Sequence, residues 1–153
     1  MLTDGQKLCA ATELNRFVLL YYHHITEVRD YGTGELVNSV EAHMLGAIHR
    51  FPGITVTRLA REWLRSKGAV SQMASKLVKK GLIRREKAEG NAKTVHLFCT
   101  PAGEELSRRH QEYDLRTIDN TLKLLKGRVT EEELISTVRV LRQLDTLIFP
   151  PEE

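Results

Sequence analysis

Two short amphipathic helices, separated by a turn and followed directly by a β-hairpin, constrain this chain more than any other feature. The first has Thr55 as its N-cap and places Leu59, Ala60 and Trp63 on one face. The second begins near Ser66, within "RSKGAVSQMASKLVKKGLI" at 65–83. Its inner stripe is Val70, Met73 or Ala74, Leu77 and Val78. Its outer stripe is Lys67, Ser71, Gln72, Ser75, Lys76 and Lys79, and Gly81 suits the position just past the helix end. "LIRREKAE" and "TVHLFCT" then read as short strands. Gly90-Asn91 lies at the tip between them, in a loop expected to exceed two residues. The second helix opens with small side chains, Gly68, Ala69 and Ser71, which bury almost nothing. That end is expected to lie close to something large and charged.

Charge points the same way. From Arg58 to Lys93 there are eleven Lys and Arg against Glu62, Glu86 and Glu89, a net of +8 in a chain of net +3, so the remainder carries −5. Such segregation is the footprint of a polyanion-binding surface; the alternative is a solvated basic face. At 153 residues, 41% hydrophobic and 28% charged, the chain suits a single domain over 1–153 of ordinary globular class. No apolar run is long enough to span a membrane, and "MLTDGQKLCAATELN" lacks the pattern of a signal peptide, so a cytoplasmic location is expected. Cys9 and Cys99 form no C-x-x-C pair, and a structural disulfide is not expected.

The flanks are helical. From about Gly5 to Asp30, with Asp4 as N-cap, apolar residues including Leu8, Leu14, Phe17, Val18, Tyr21 and Tyr22 recur at helical spacing. "YGTGE" at 31–35 is a loop. "NSVEAHMLGAIHRF" is a second helix capped by Asn38 or Ser39, with Val40, Met44, Ala47, Ile48 and Phe51 as its stripe and Pro52-Gly53 as its end. Thr100 and Pro101 open a long helix that reaches Leu125 or Lys126, with Gly127 as its stop. Thr130 and Glu133 form a capping-box pair ahead of a last helix, which Pro150-Pro151 end.

The order helix, short helix, turn, short helix, hairpin is a winged helix-turn-helix: mainly α, with a small β-wing over a core at 38–100. A DNA major groove admits one such helix, whose N-terminal half approaches the base edges. Small residues permit close approach, and the amides of a helix start attract phosphate. Ser71 and Gln72 are candidate base contacts, Gln being suited to adenine; Lys76, Lys79 and Lys80 are candidate phosphate contacts. The expected interface also takes in Arg65, Ser66, Lys67, Gly68, Ala69 and Ser75 on the helix, and Arg85, Lys87, Asn91 and Lys93 on the wing. An enzyme is the first rival, but there is no Gly-rich phosphate loop, G-x-S-x-G, H-E-x-x-H or acid pair on a shared face, so neither catalysis nor a cofactor is expected. A winged-helix protein-interaction module is the second rival. Such modules often lose a basic recognition helix, which this chain keeps.

The segment from "PGITVTRLAREW" to "TPAGEEL" resembles the DNA-binding core of the MarR/SlyA family of bacterial transcriptional regulators. The likeness extends in order and length to the flanking helices. The family wing pairs an Asp with an Arg that enters the minor groove. The matching positions here are Asn91 and Lys93, and a lysine lacks the planar fork suited to a narrow groove. Weaker or less selective wing contacts are therefore expected. Leu64 stands at a turn position where the family often has Gly. The resemblance implies a homodimer, with 5–30 and 101–149 as interlocking dimerisation helices, that places two recognition helices on a pseudo-palindromic operator as a repressor.

It also implies a switch, often a phenolic or other anionic ligand, an oxidant or a metal. A small-molecule pocket is expected between the first, second and long helices, with Tyr21, His24, His43 and Arg108 as candidate linings; the alternative for Tyr21 is dimer packing. His110 and Asp114 stand one helical turn apart and, with His43, are candidate metal ligands; a zinc-sensing branch places ligands near His43 and His110. A peroxide-sensing branch uses a cysteine near the start of its first helix. Cys9 has no tyrosine close to it, and its default is a partly buried structural thiol.

Overall fold

A computed structural model describes residues 1–63, 65–88 and 91–148, and for 88, 91–93 and 145–148 the backbone alone. The elements in chain order are α1 (Asp4–Thr26), β1 (Val28–Asp30), β2 (Leu36–Asn38), α2 (Ser39–Arg50), β3 (Ile54–Thr55), α3 (Val56–Glu62), α4 (Lys67–Lys79), β4 (Ile83–Ala88), β5 (Asn91–Cys99), α5 (Pro101–Leu125) and α6 (Glu131–Ile148).

Local signals set most boundaries. Asn38, Thr55, Ser66 and Thr100 are the N-caps of α2, α3, α4 and α5; each side chain accepts a hydrogen bond from a backbone N–H three residues on. Thr130 and Glu133 close their capping box ahead of α6, with Glu133 Oε2 2.7 Å from the Thr130 N–H. Gly81 and Gly127, at φ +69° and +77°, end α4 and α5 in the left-handed region that glycine enters at least cost.

The first helix is shorter than its periodicity suggests. Thr3, not Asp4, caps it in a full capping box with Gln6, and it stops at Thr26. Residues 28–30 are instead extended and pair antiparallel with 36–38, Arg29 facing Val37. The cause is the loop between them: the Asp30 carboxylate accepts the backbone N–H groups of Gly32, Thr33 and Gly34 at 2.8–3.0 Å. These bonds hold the Asp30 carboxyl below its ordinary pKa.

The core lies between α2, α3, α4, α5 and a three-stranded sheet of order β3-β5-β4. Val37, Met44, Leu45, Ile48, Leu59, Leu77, Leu97 and Leu106 are completely enclosed. Trp63 packs against this core from its edge, while Phe51 and Val78, expected on inner stripes, are exposed. In the wing Ile83 faces Cys99 and Lys87 faces Val95, but Ala88 faces Asn91, so β5 bulges near the tip. Pairing therefore runs closer to the tip than the longer loop expected from sequence. Leu64, Gly90, Pro150 and Pro151 lie outside the described residues.

Helix α1 buries no residue. Phe17, Val18, Leu19, Leu20 and Tyr22 are all more than half exposed. On α6 Ile135, Val138, Val140 and Leu141 stand open to solvent. Cys9, on α1, is exposed rather than partly buried. No helix among the described residues is long and apolar enough to cross a membrane.

Candidate nucleic-acid interface

Helix α4 is sharply two-faced. Val70, Ala74 and Leu77 are buried against the core, while Lys67, Gly68, Gln72, Lys76 and Lys79 are exposed and Ala69, Ser71 and Ser75 half-buried. Ser66 Oγ accepts the Ala69 N–H at 3.2 Å and starts the helix. A Cβ built on Gly68 would meet only Ser66 Oγ, at 3.9 Å. The chain itself therefore does not require a small residue there. Among the described residues Lys67, Lys76 and Lys79 make no ion pair, so their charge faces outward.

Two cations expected at this surface turn elsewhere. Arg85, on β4, donates from Nη2 to Ser71 O and to Ser75 Oγ, both at 2.9 Å, and so ties the wing to the half-buried edge of α4. Lys80 folds inward. Its ammonium donates to Leu36 O and lies 3.3 Å from Glu41 Oε2 and 3.6 Å from Glu35 Oε1. This departs from the expectation that Lys80 neutralises a phosphate: its ammonium is hydrogen-bonded to Leu36 O and Glu41 Oε2, with the Glu35 carboxylate beside it. Lys87 is exposed on β4. The side chains of Asn91 and Lys93 are outside what is described. Arg65 and Ser66 are exposed at the turn before α4.

A second cluster sits where α2 crosses α5. The rings of His43 and His110 meet edge to face with centroids 4.6 Å apart. Asp114 Oδ2 lies 3.4 Å from His110 Nδ1 and 3.8 Å from His43 Nε2. One ligand atom from each of the three falls within 4.8 Å of the others. His110 is 3% exposed. Burial lowers its pKa below the ordinary imidazole value; Asp114 raises it and His43 lowers it further. Among the described residues, His110 Nε2 and Ser107 Oγ are buried without a hydrogen-bond partner. Both border a cleft of about 640 Å³ lined also by Ala42, His43, Gly46, His49, Arg50 and Asp114.

The candidate pocket residues are only partly gathered. His43 lines this cleft. His24 reaches its neighbourhood through a relay: Arg29 Nη2 lies 3.0 Å from His24 Nδ1, Arg29 Nη1 donates to Tyr113 Oη at 2.9 Å, and Tyr31 packs between Tyr113 and His110. Tyr21 stacks on Phe17 along α1 and tilts against His24. Arg108 is held on the open face of α5 by Glu105 and Glu112 and does not line the cleft. Sequence reading missed Arg29, Tyr31, Ser107 and Tyr113. Ser107 and Tyr113, three residues before and after His110 on α5, had a helical signal; Arg29 and Tyr31 are placed by tertiary contacts.

A basic helix with a buried inner face, a preceding short helix and a two-stranded wing together define a winged helix-turn-helix protein. The sequence model of the MarR family matches residues 37–93. The chain is 30% identical over 124 residues to the uncharacterized HTH-type transcriptional regulator YhjH of Bacillus subtilis (strain 168), covering 81% of this chain and 70% of that one. It belongs to the MarR family, whose members regulate transcription rather than catalyse reactions. Among solved structures it is similar to Streptococcus pneumoniae FabT in complex with DNA, at 22% identity and TM-score 0.66 over 95% of this chain and 97% of the other. It is also similar to MarR, at 25% identity and TM-score 0.63 over 90% and 96%.

Proposed function

We propose that the chain binds double-stranded DNA as a homodimer on a pseudo-palindromic operator and represses transcription in the cytoplasm. The observation that carries this is the division of α4: an apolar face locked into the core, and an outer face of small, amide and lysine side chains whose lysines Lys67, Lys76 and Lys79 make no ion pair among the described residues. Arg65, Ser66, Lys67, Gly68, Ala69, Ser71, Gln72, Ser75, Lys76 and Lys79 form its surface, joined by Lys87, Asn91 and Lys93 from the wing. Arg85 contributes by bracing Ser71 and Ser75. The homodimer is supported by the uncovered apolar surface of α1 and α6, more than an isolated soluble chain exposes without use. Repression needs only occupancy of an operator, which such a dimer supplies by itself. Electrophoretic mobility shift on the promoter of its own operon, across a salt series, tests the reading. Binding that strengthens steeply at low salt supports it. No shift at low salt favours a winged-helix protein-interaction module.

The switch is a small effector bound at the α2–α5 cleft, where two orphaned polar atoms and three histidines line an open volume. A metal is the second reading, favoured by the convergence of His43, His110 and Asp114. Two neutral imidazoles and a carboxylate suit zinc, which takes nitrogen and oxygen donors at about 2.0–2.2 Å and would leave a fourth position for water or another residue. A thermal-shift screen against zinc, aromatic carboxylates and peroxide separates these, because a ligand of the folded state must raise its melting temperature. A zinc-induced rise that disappears in His43→Ala and His110→Ala selects the metal. A rise with carboxylates alone selects the anion. A response to peroxide alone would return attention to Cys9.

A further inference from the structure

Lys80 stands apart from the other lysines of its helix. It is the C-cap of α4, its backbone N–H closing on Lys76 O at 3.0 Å, and Gly81 then turns the chain into the wing. Lys67, Lys76 and Lys79 point outward, whereas Lys80 is only a quarter exposed and its ammonium crosses to a different part of the fold. There it meets Leu36 O, Glu35 and Glu41, two groups on and before β2 and one on α2. The Glu41 side chain is 8% exposed. Its Oε2 also accepts the Asn38 N–H at 3.3 Å, so the same carboxylate caps α2 and holds Lys80. A carboxylate this buried is costly without a cation beside it, and among the described residues Lys80 is the cation paired with it.

We infer that Lys80 is a positioning residue of the DNA-binding surface. It fastens the C-terminal end of α4 to α2 and to the β1–β2 hairpin, and so fixes the attitude at which α4 meets a groove. The role rests on the DNA-binding reading above. It assigns Lys80 no contact with DNA: the ammonium is hydrogen-bonded inside the protein to Leu36 O and Glu41, and Glu41 and Glu35 balance its charge. Loss of the fastening would leave the phosphate-contacting lysines present but the base-reading residues Ser71 and Gln72 misaligned. Discrimination between sequences should therefore suffer more than general affinity for DNA.

The test uses the full chain and a duplex enriched by the wild-type protein from a randomised library, beside an unrelated duplex of equal length. Lys80→Met, Glu41→Gln and the double variant are compared by fluorescence anisotropy across a salt series, with Lys79→Ala as the phosphate-contact control. Glu41→Gln retains a side chain that serves in a capping box, so at least one arm keeps its fold even where Lys80→Met melts early. Both single variants should bind the enriched duplex about tenfold more weakly, within the range of coupled pairs, and the double variant no worse than either. The unrelated duplex and the salt slope should be nearly unchanged, whereas each lost phosphate contact flattens that slope by about 0.9. Equal weakening on both duplexes with a flatter slope, or no weakening in either single variant, overturns the positioning role alone. If the wild-type protein enriches no duplex at any salt, the DNA-binding reading falls and this role with it.

Discussion

Gln72 and Lys79 share the open face of α4 but have different chemistry, and substitution should separate them. An amide can form a paired hydrogen bond to one base, whereas an ammonium attracts any phosphate. Gln72→Ala is expected to cost about 1–3 kcal/mol on an enriched duplex and little on random DNA. Lys79→Ala should weaken both alike and flatten the salt dependence; competition binding against the two duplexes reads out both. Equal losses for Gln72→Ala would remove it from base reading. The two cysteines also differ in chemistry. Burial pushes the Cys99 thiol up to about 12, and its Sγ lies 3.6 Å from Leu45 O. Cys99 should therefore stay unalkylated at pH 8 in the native protein and react once unfolded; rapid native labelling, mapped by peptide mass, would contradict the burial. Outward residues such as Gln72 and Lys79 were legible in the sequence because helical period alone assigns their face. Lys80 and Arg85 were not, because their partners lie 39–45 and 10–14 residues away, and no local pattern encodes such a contact.

Two glycines near helix starts show what each element packs against. A Cβ on Gly103 of α5 would fall 2.0 Å from Leu82 O and 3.2 Å from Leu45 Cδ1. Here the missing side chain lets α5 seat on the junction between α4 and β4, where Thr100 also bonds Gly81 O at 2.7 Å. Gly103→Ala should lower stability by about 3 kcal/mol, the upper end of overpacking costs, seen as an earlier denaturant midpoint. Gly68 meets no such wall. Gly68→Leu should leave the midpoint almost in place yet weaken DNA binding about tenfold, equivalent to about 1.4 kcal/mol. A large loss of stability would show instead that Gly68 serves the fold. Caps and apolar periods made the helices readable, from Thr55 through Thr130. The β1–β2 hairpin was hidden, since three-residue strands carry too short an alternation to register and the helical period of α1 runs on through Val28. The wing as a whole was readable from its two strands, but its bulge was not.

At the scale of the molecule, the winged core is closed and the outer helices are not. Leu19 is 71% exposed and Leu124 75%, on helices that carry no other evident use for apolar surface. In the proposed homodimer a second copy of the chain would cover such faces symmetrically and set the two α4 helices on one side of the assembly. The most direct measurement is selection of duplexes from a randomised library by the full chain, followed by sedimentation of the complex to count chains per duplex. A dimeric winged helix-turn-helix regulator enriches an inverted repeat with half-site centres about 10–10.5 base pairs apart, and sediments as two chains on one duplex. Failure to enrich any sequence at low salt, or a single chain bound to an unrepeated site, would contradict it.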